Sequence, residues 1–144
     1  MSTRQHTLGF FLVDVTRLMR RAFQAHLQAR QSDLTLAKAR ALVYLSRNEG
    51  VRQVELADML EIQPITLARL IDQLAETGLV ERRSDPNDRR AFQLHLTDKA
   101  APHLELIEQV TATVRDEMLR GIDQQQVSGM MDALARMREN LTAR

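Results

Sequence analysis

The sequence contains no cysteine and no tryptophan, and it is poor in proline, glycine and aromatic residues. Without cysteine there is no disulfide framework, no thiolate nucleophile, no thiol redox sensor and no Cys-ligated zinc. Aromatic residues make up only 3% of the chain, so a core must come from Leu, Ile, Val, Met and Ala. Most of these are strong helix formers, which predicts a mainly α fold. No apolar run reaches the ~18 residues that span a bilayer, and Met1 to Phe10 lacks the apolar centre of a signal peptide. The chain is therefore expected in the cytoplasm. An excess of one charge sign is also missing: 20 basic and 19 acidic residues leave a net +1, with no bulk polycation that would announce nucleic acid.

What is present is one domain's worth of chain, 144 residues with 44% hydrophobic content, enough for a single full core. The charge lies in blocks. Residues 1–48 hold 8 basic and 2 acidic groups, 49–79 hold 2 and 6, 80–96 hold 4 and 3, and 97–144 hold 6 and 8. Of the basic residues, all but Lys38 and Lys99 are arginine. Arginine suits phosphate and carboxylate recognition, but such a bias is as easily a genomic habit.

Helical periodicity begins at Leu8 and runs through Phe11, Leu12, Val15, Leu18, Met19 and Ala22 towards Leu27. Thr35 suits the N-cap of a second helix carrying Leu36, Ala39, Leu42, Val43 and Leu45, closed by the turn signal Asn48-Glu49-Gly50. A short helix over about Gln53 to Leu60 follows. Another starts at Pro64, where a missing N–H costs nothing, and stops at Gly78. The period then changes to two, with Val80 and Arg82 before, and Phe92, Leu94 and Leu96 after, the turn formers Ser84-Asp85-Pro86-Asn87-Asp88. That predicts a β-hairpin with a polar tip. Thr97 can cap a fifth helix with the stripe Leu104, Ile107, Val110, Val114 and Met118, whose first turns Pro102 should distort. Past Gly121 a last helix carries Val127, Met130, Met131, Leu134, Met137 and Leu141.

Residues 53 to 70 place small Ala57 where two helices would cross closely, with Leu56, Leu60, Ile62, Leu67 and Leu70 filling the inner side, as a helix-turn-helix requires. One departure is Glu61, which stands where such turns commonly carry glycine. A helix-turn-helix followed at once by a basic-tipped hairpin is a winged helix. This order, with helices on both sides, resembles the MarR family of bacterial transcription regulators, particularly its SlyA-like branch. The residues that carry the resemblance are Leu34-Thr35, Gln53-x-Glu55-Leu56-Ala57, and Leu70-Ile71-Asp72-Gln73-Leu74 with Gly78-Leu79-Val80-x-Arg82. The most specific are Asp85-Pro86-Asn87-Asp88-Arg89-Arg90-Ala91 with Leu94-x-Leu96-Thr97 behind them. The expected architecture is thus one domain over 1–144, mainly α with a small β-hairpin wing. The winged helix-turn-helix spans about 34–96, and dimerisation helices lie at about 6–30 and 97–142.

On this reading the helix from Pro64 presents its N-terminal end to DNA, where Thr66, Ala68 and Arg69 can reach base edges or phosphate and Asp72 lies one turn further along. Arg69 is the best reader of guanine, since a guanidinium bonds it bidentately. In the wing, an arginine pushed into a narrow minor groove meets enhanced negative potential, and Asp88 can hold the hairpin or orient the guanidinium. The resemblance points to Arg89 as the inserted residue. Arg90, Arg82 and Arg83 suit phosphate contacts or salt bridges. The bland alternative for each is a solvated charge on an exposed face.

The terminal helices carry more apolar surface than a helix-turn-helix can cover, which predicts a two-fold homodimer through residues near 8–27 and 104–141, with Met130, Met131 and Met137 in its core. Such a dimer would place two recognition helices ~34 Å apart on a palindromic operator. Repression is expected over activation, because a dimer covering a promoter blocks polymerase without further contacts. The resemblance also implies a small effector, often an aromatic acid or other phenolic compound, between the dimer helices and the winged helix. Arg17 and Arg20 could share its carboxylate, with Arg40 and Tyr44 adding a charge and a ring. Alternatively, Arg17 and Arg20 pair with Asp14 or Asp33, and Tyr44 is ordinary core. His6, His26, His95 and His103 have no metal-ligand spacing, so neither metal nor other cofactor is expected. No glycine-rich phosphate loop or paired nucleophile and base suggests an enzyme. The competing class is a helical dimeric module that uses its winged helix as a protein-binding surface. A steep fall of duplex affinity with salt separates the two readings.

Overall fold

A computed structural model describes residues 7–143, so His6 lies outside the described residues. Helix α1 (Leu8–Ala29) is followed by α2 (Leu36–Arg47), α3 (Gln53–Leu60) and α4 (Pro64–Glu76), then by strands β1 (Val80–Asp85) and β2 (Asp88–Leu96), and finally by α5 (Ala101–Met118) and α6 (Gln124–Thr142). This is the mainly α, winged architecture that the periodicity predicts.

Local chemistry explains the element ends. The Thr35 hydroxyl accepts from the Lys38 amide and caps α2, as expected. Pro64 occupies the first turn of α4, and Gly78 ends it at φ +80°, where Gly78 and Leu79 amides return to the Ala75 and Leu74 carbonyls. Thr97 departs from expectation: its hydroxyl donates to the Gly78 carbonyl instead of capping a helix. A 3-10 turn at Asp98–Ala100 comes first, and α5 then starts at Ala101 with Pro102 in its first turn, where proline does not disturb the helix.

The core lies within the winged helix. Leu42, Leu45, Leu56, Ala57, Leu67, Ile71, Leu74 and Leu94 are all buried, and Leu27 of α1 with Ile107, Val110 and Val114 of α5 closes it from the side. Ala57 is fully buried, consistent with the small residue that a close crossing needs. Ile62 and Leu70 are only half-buried and pack on the edge of this cluster. Antiparallel β1 and β2 pair from Val80 with Leu96 to Asp85 with Asp88, leaving Pro86-Asn87 as the tip. Gly50 donates to the Leu94 carbonyl, Leu94 donates to the Val51 carbonyl, and Arg52 bridges Gln93. The segment entering α3 therefore borders the hairpin as a short third edge.

The clearest apolar stripe in the sequence lies outside this core. Leu8, Phe11, Leu12, Val15, Leu18 and Met19 are exposed, and Leu27, where the pattern is weaker, is the buried residue of α1. Helix α6 has no buried residue, and Met130, Met131, Leu134 and Leu141 face solvent.

Glu61 closes α3 in the left-handed region, at φ 54° and ψ 44°. The tight turn into α4 needs this conformation, because the Ile62 amide must reach back to the Ala57 carbonyl. A side chain with a Cβ is strained there, and glycine is not. Glu61→Gly should raise unfolding stability by about 0.5–1 kcal/mol, the strain relieved less the added unfolded-state entropy. Urea unfolding measures it, and a lower midpoint would contradict the account.

Candidate nucleic-acid interface

The sequence-predicted residues fall on two outward surfaces, α4 and the wing tip. On α4 the apolar spacing turns Leu67, Ile71 and Leu74 inward, which leaves Pro64, Ile65, Thr66, Arg69, Asp72 and Gln73 exposed; Ala68 is half-buried. Arg69 makes no hydrogen bond or ion pair with any described residue. Its guanidinium is free for a ligand.

Asp72 is engaged within the chain. Its carboxylate holds Arg82 of β1 at 2.6 Å, and the same guanidinium donates to Gln53 Oε1 at 3.3 Å. Strand β1 is thus latched to the start of α3 and the middle of α4, and Arg82 takes the salt-bridge role. Arg83 likewise pairs with Glu81 on its own strand.

A second latch holds the wing's far end. Arg52 grips Asp85 through both Nε and an Nη group at 3.0 Å. Asp85 is the one buried polar side chain among the described residues, and its other oxygen accepts from the Asn87 amide at 2.8 Å. The amide bond from Asn87, reinforced by Arg52, holds the Asp85 carboxyl below its ordinary value against the opposing effect of burial. Asp88 accepts from the Arg90 amide at 2.9 Å, so it shapes the hairpin, one of the two roles expected for it. Arg89 and Arg90 are exposed at the tip, and their guanidinium groups have no partner among the described residues.

The effector residues do not come together as proposed from the sequence. An open depression of about 640 Å³ lies along α1 and is lined by Leu12, Val13, Thr16, Arg17, Arg20, Arg21, Gln24 and Leu36. Arg40 and Tyr44 are not part of it; they stack on each other on α2, with the guanidinium 5.9 Å from the ring centre. Arg17 leans to Asp14 at 3.7 Å, the alternative weighed above. Tyr44 is 37% exposed and is not core. The sequence reading missed Arg21 and Gln24, although residues 17, 20, 21 and 24 share one helical face. It also missed the bond from His26 to Glu117, 2.7 Å, which ties α1 to α5 across a long sequence separation. No group of three or more potential ligands for a metal occurs among the described residues, and none of their helices is long and apolar enough to cross a membrane.

This architecture is that of known regulators. A structure of MarR superposes with a TM-score of 0.87 at 26% identity, covering 99% of this chain and 96% of the other. The MarR family model matches residues 32–91, from the approach to α2 through the tip of the wing. Over that segment, and in its fold, the chain resembles the MarR family. Members are transcriptional regulators and not enzymes. A mutant MarR from E. coli in complex with operator DNA is similar too, with 25% identity, a TM-score of 0.77, and coverage of 90% of this chain and 92% of that one. So is the transcriptional repressor CouR bound to a 23-mer DNA duplex, at 27% identity and TM-score 0.81, covering 96% of each chain.

The wing carries a pH prediction. Because the folded Asp85 carboxyl is more acidic than the unfolded one, its stabilisation is complete above the ordinary aspartate range. It diminishes as pH falls through that range and is gone below the folded value. Acid unfolding of Asp85→Asn should therefore show a shallower loss of stability below about pH 4 than the parent chain. Parallel pH curves for the two proteins would contradict it.

Proposed function

We propose that this chain is a DNA-binding transcription regulator, acting as a homodimeric repressor on a palindromic operator in the bacterial cytoplasm. The observation that carries the reading is an asymmetry among the arginines. Arg52 and Arg82 are consumed in latching the wing, whereas the guanidinium groups of Arg69 on α4 and of Arg89 and Arg90 at the tip have no partner among the described residues and lie on outward surfaces. A helix in the major groove and a wing reaching the neighbouring minor groove need such a set. The duplex complexes of similar proteins support it. A protein-binding wing would have no need of free charge at its tip.

Arg89→Ala should weaken operator binding by about 1–3 kcal/mol without altering the fold, since the side chain is exposed. Titration against duplex by gel shift measures this, and the parent's affinity should also fall steeply with salt as counterions are released. Unchanged affinity would return the wing to a solvated charge run.

The homodimer is supported by the apolar surplus on α1 and α6, on which Leu12, Val15, Leu18, Met131 and Leu141 would otherwise cost free energy in water. Sedimentation at micromolar concentration should give about twice 16.5 kDa. A well-folded monomer would remove the two-half-site arrangement as well.

For the effector, the depression on α1 offers an apolar floor of Leu12, Val13 and Leu36 beside Arg20 and Arg21. That chemistry suits a small aromatic carboxylate. Salicylate-type acids should bind the parent and weaken its hold on DNA by the same factor by which DNA weakens theirs. Calorimetry on Arg17→Ala, Arg20→Ala and Arg21→Ala should show the affinity lost. Equal binding by the variants would exclude this site.

A further inference from the structure

The exposed face of α4 carries a side chain that neither phosphate contact nor the core explains. Ile65 lies on the first turn of the helix and is 65% exposed. Isoleucine belongs to the residue types most often buried, and α4 already fills its inner side with Leu67, Ile71 and Leu74. Within the chain α4 packs on α2, α3 and β1, away from the exposed apolar stripes of α1 and α6, so Ile65 is not part of that surplus. Arg69 follows it by four residues. The two side chains are therefore neighbours on one stripe of the helix, with Ile65 nearer the N-terminus. An aliphatic side chain can accept or donate no hydrogen bond. Of the features that base edges present in the major groove, only the 5-methyl group of thymine is apolar.

We propose that Ile65 reads a thymine methyl group in each operator half-site, beside the base that Arg69 contacts. The inference rests on the DNA-binding reading above and adds a sequence preference to it. Arg69 supplies charge and bidentate bonding, and Ile65 supplies a contact that exists only where the methyl group stands in reach. Cytosine or uracil at that position leaves the isoleucine against water or a polar edge.

The test uses the full chain and duplexes enriched by it from a randomised pool. Each thymine in an enriched duplex is replaced singly by deoxyuridine, which removes the methyl group and leaves every hydrogen-bonding edge intact. For the parent protein, replacement at one thymine per half-site should weaken binding about four-fold, the effect of one methyl group withheld from apolar contact. For Ile65→Ala the same replacement should have no effect, while its melting temperature stays that of the parent because the side chain is exposed. The proposal is overturned if the parent tolerates every replacement, or if Ile65→Ala keeps the full penalty. If duplexes are enriched and Arg89→Ala weakens them but no methyl dependence is seen, the inference fails and the DNA-binding reading stands. If no duplex is enriched, both fail together.

Discussion

The geometry of this molecule depends on the two arginine latches that hold the wing. A two-stranded hairpin is marginal in water by itself, and this one buries little beyond Val80 and Leu94. Arg52 on Asp85 secures the far end of β1, and Arg82 on Asp72 and Gln53 secures its middle. The first pair has a buried carboxylate, so breaking it would leave a desolvated charge without its counter-ion, held by the Asn87 amide alone. The second is a surface pair of small energetic worth. Its contribution is orientation, since it crosses from β1 to α4.

Division of labour among like charges follows from this. Arginines near the wing are divided between those neutralised by Asp72, Glu81 and Asp85 and those left unneutralised at Arg69, Arg89 and Arg90. The net charge of the segment is small for that reason, and it conceals local concentrations of free guanidinium. A bulk count of charge could not reveal an anion-binding surface built this way, because acidic residues serve as internal anchors and not as a screen.

The outer helices pose the complementary constraint. The core gathers Leu27 of α1 and three residues of α5, which suffices to seat these helices against the winged helix. Beyond that contact α1 and α6 carry apolar side chains that stay exposed among the described residues, Leu8, Phe11, Leu12, Met131 and Leu141 among them. Protein surfaces tolerate scattered leucines, but contiguous stripes of leucine, valine and methionine on long helices are the kind of surface that association covers. The bond between His26 and Glu117 ties α1 to α5. The outer helices meet the winged helix through Leu27 of α1 and through Ile107, Val110 and Val114 of α5.

The sequence by itself determined the order of the elements and, apart from the start of α5, most of their ends, since these depend on local chemistry. The cap at Thr35, the proline at the start of α4, Gly78 after it and the switch to a period of two are all signals within a few residues. It also contained the helix-turn-helix, through Ala57 and the apolar spacing around it, and the wing tip, through Asp85 to Arg90. What only the tertiary structure decided were pairings between residues far apart in the chain. That Asp72 holds Arg82 could not be read from spacing, and Arg40 and Tyr44 shared a helical face without sharing the depression that Arg17, Arg20 and Arg21 line. Periodicity gives the face of a helix but not what lies opposite. For the same reason the α1 stripe could be read as apolar surplus, but Leu27, where the pattern fades, could not be read as the residue that enters the core. Helical spacing records that a face is apolar, and only packing decides which neighbour, in this chain or another, covers it.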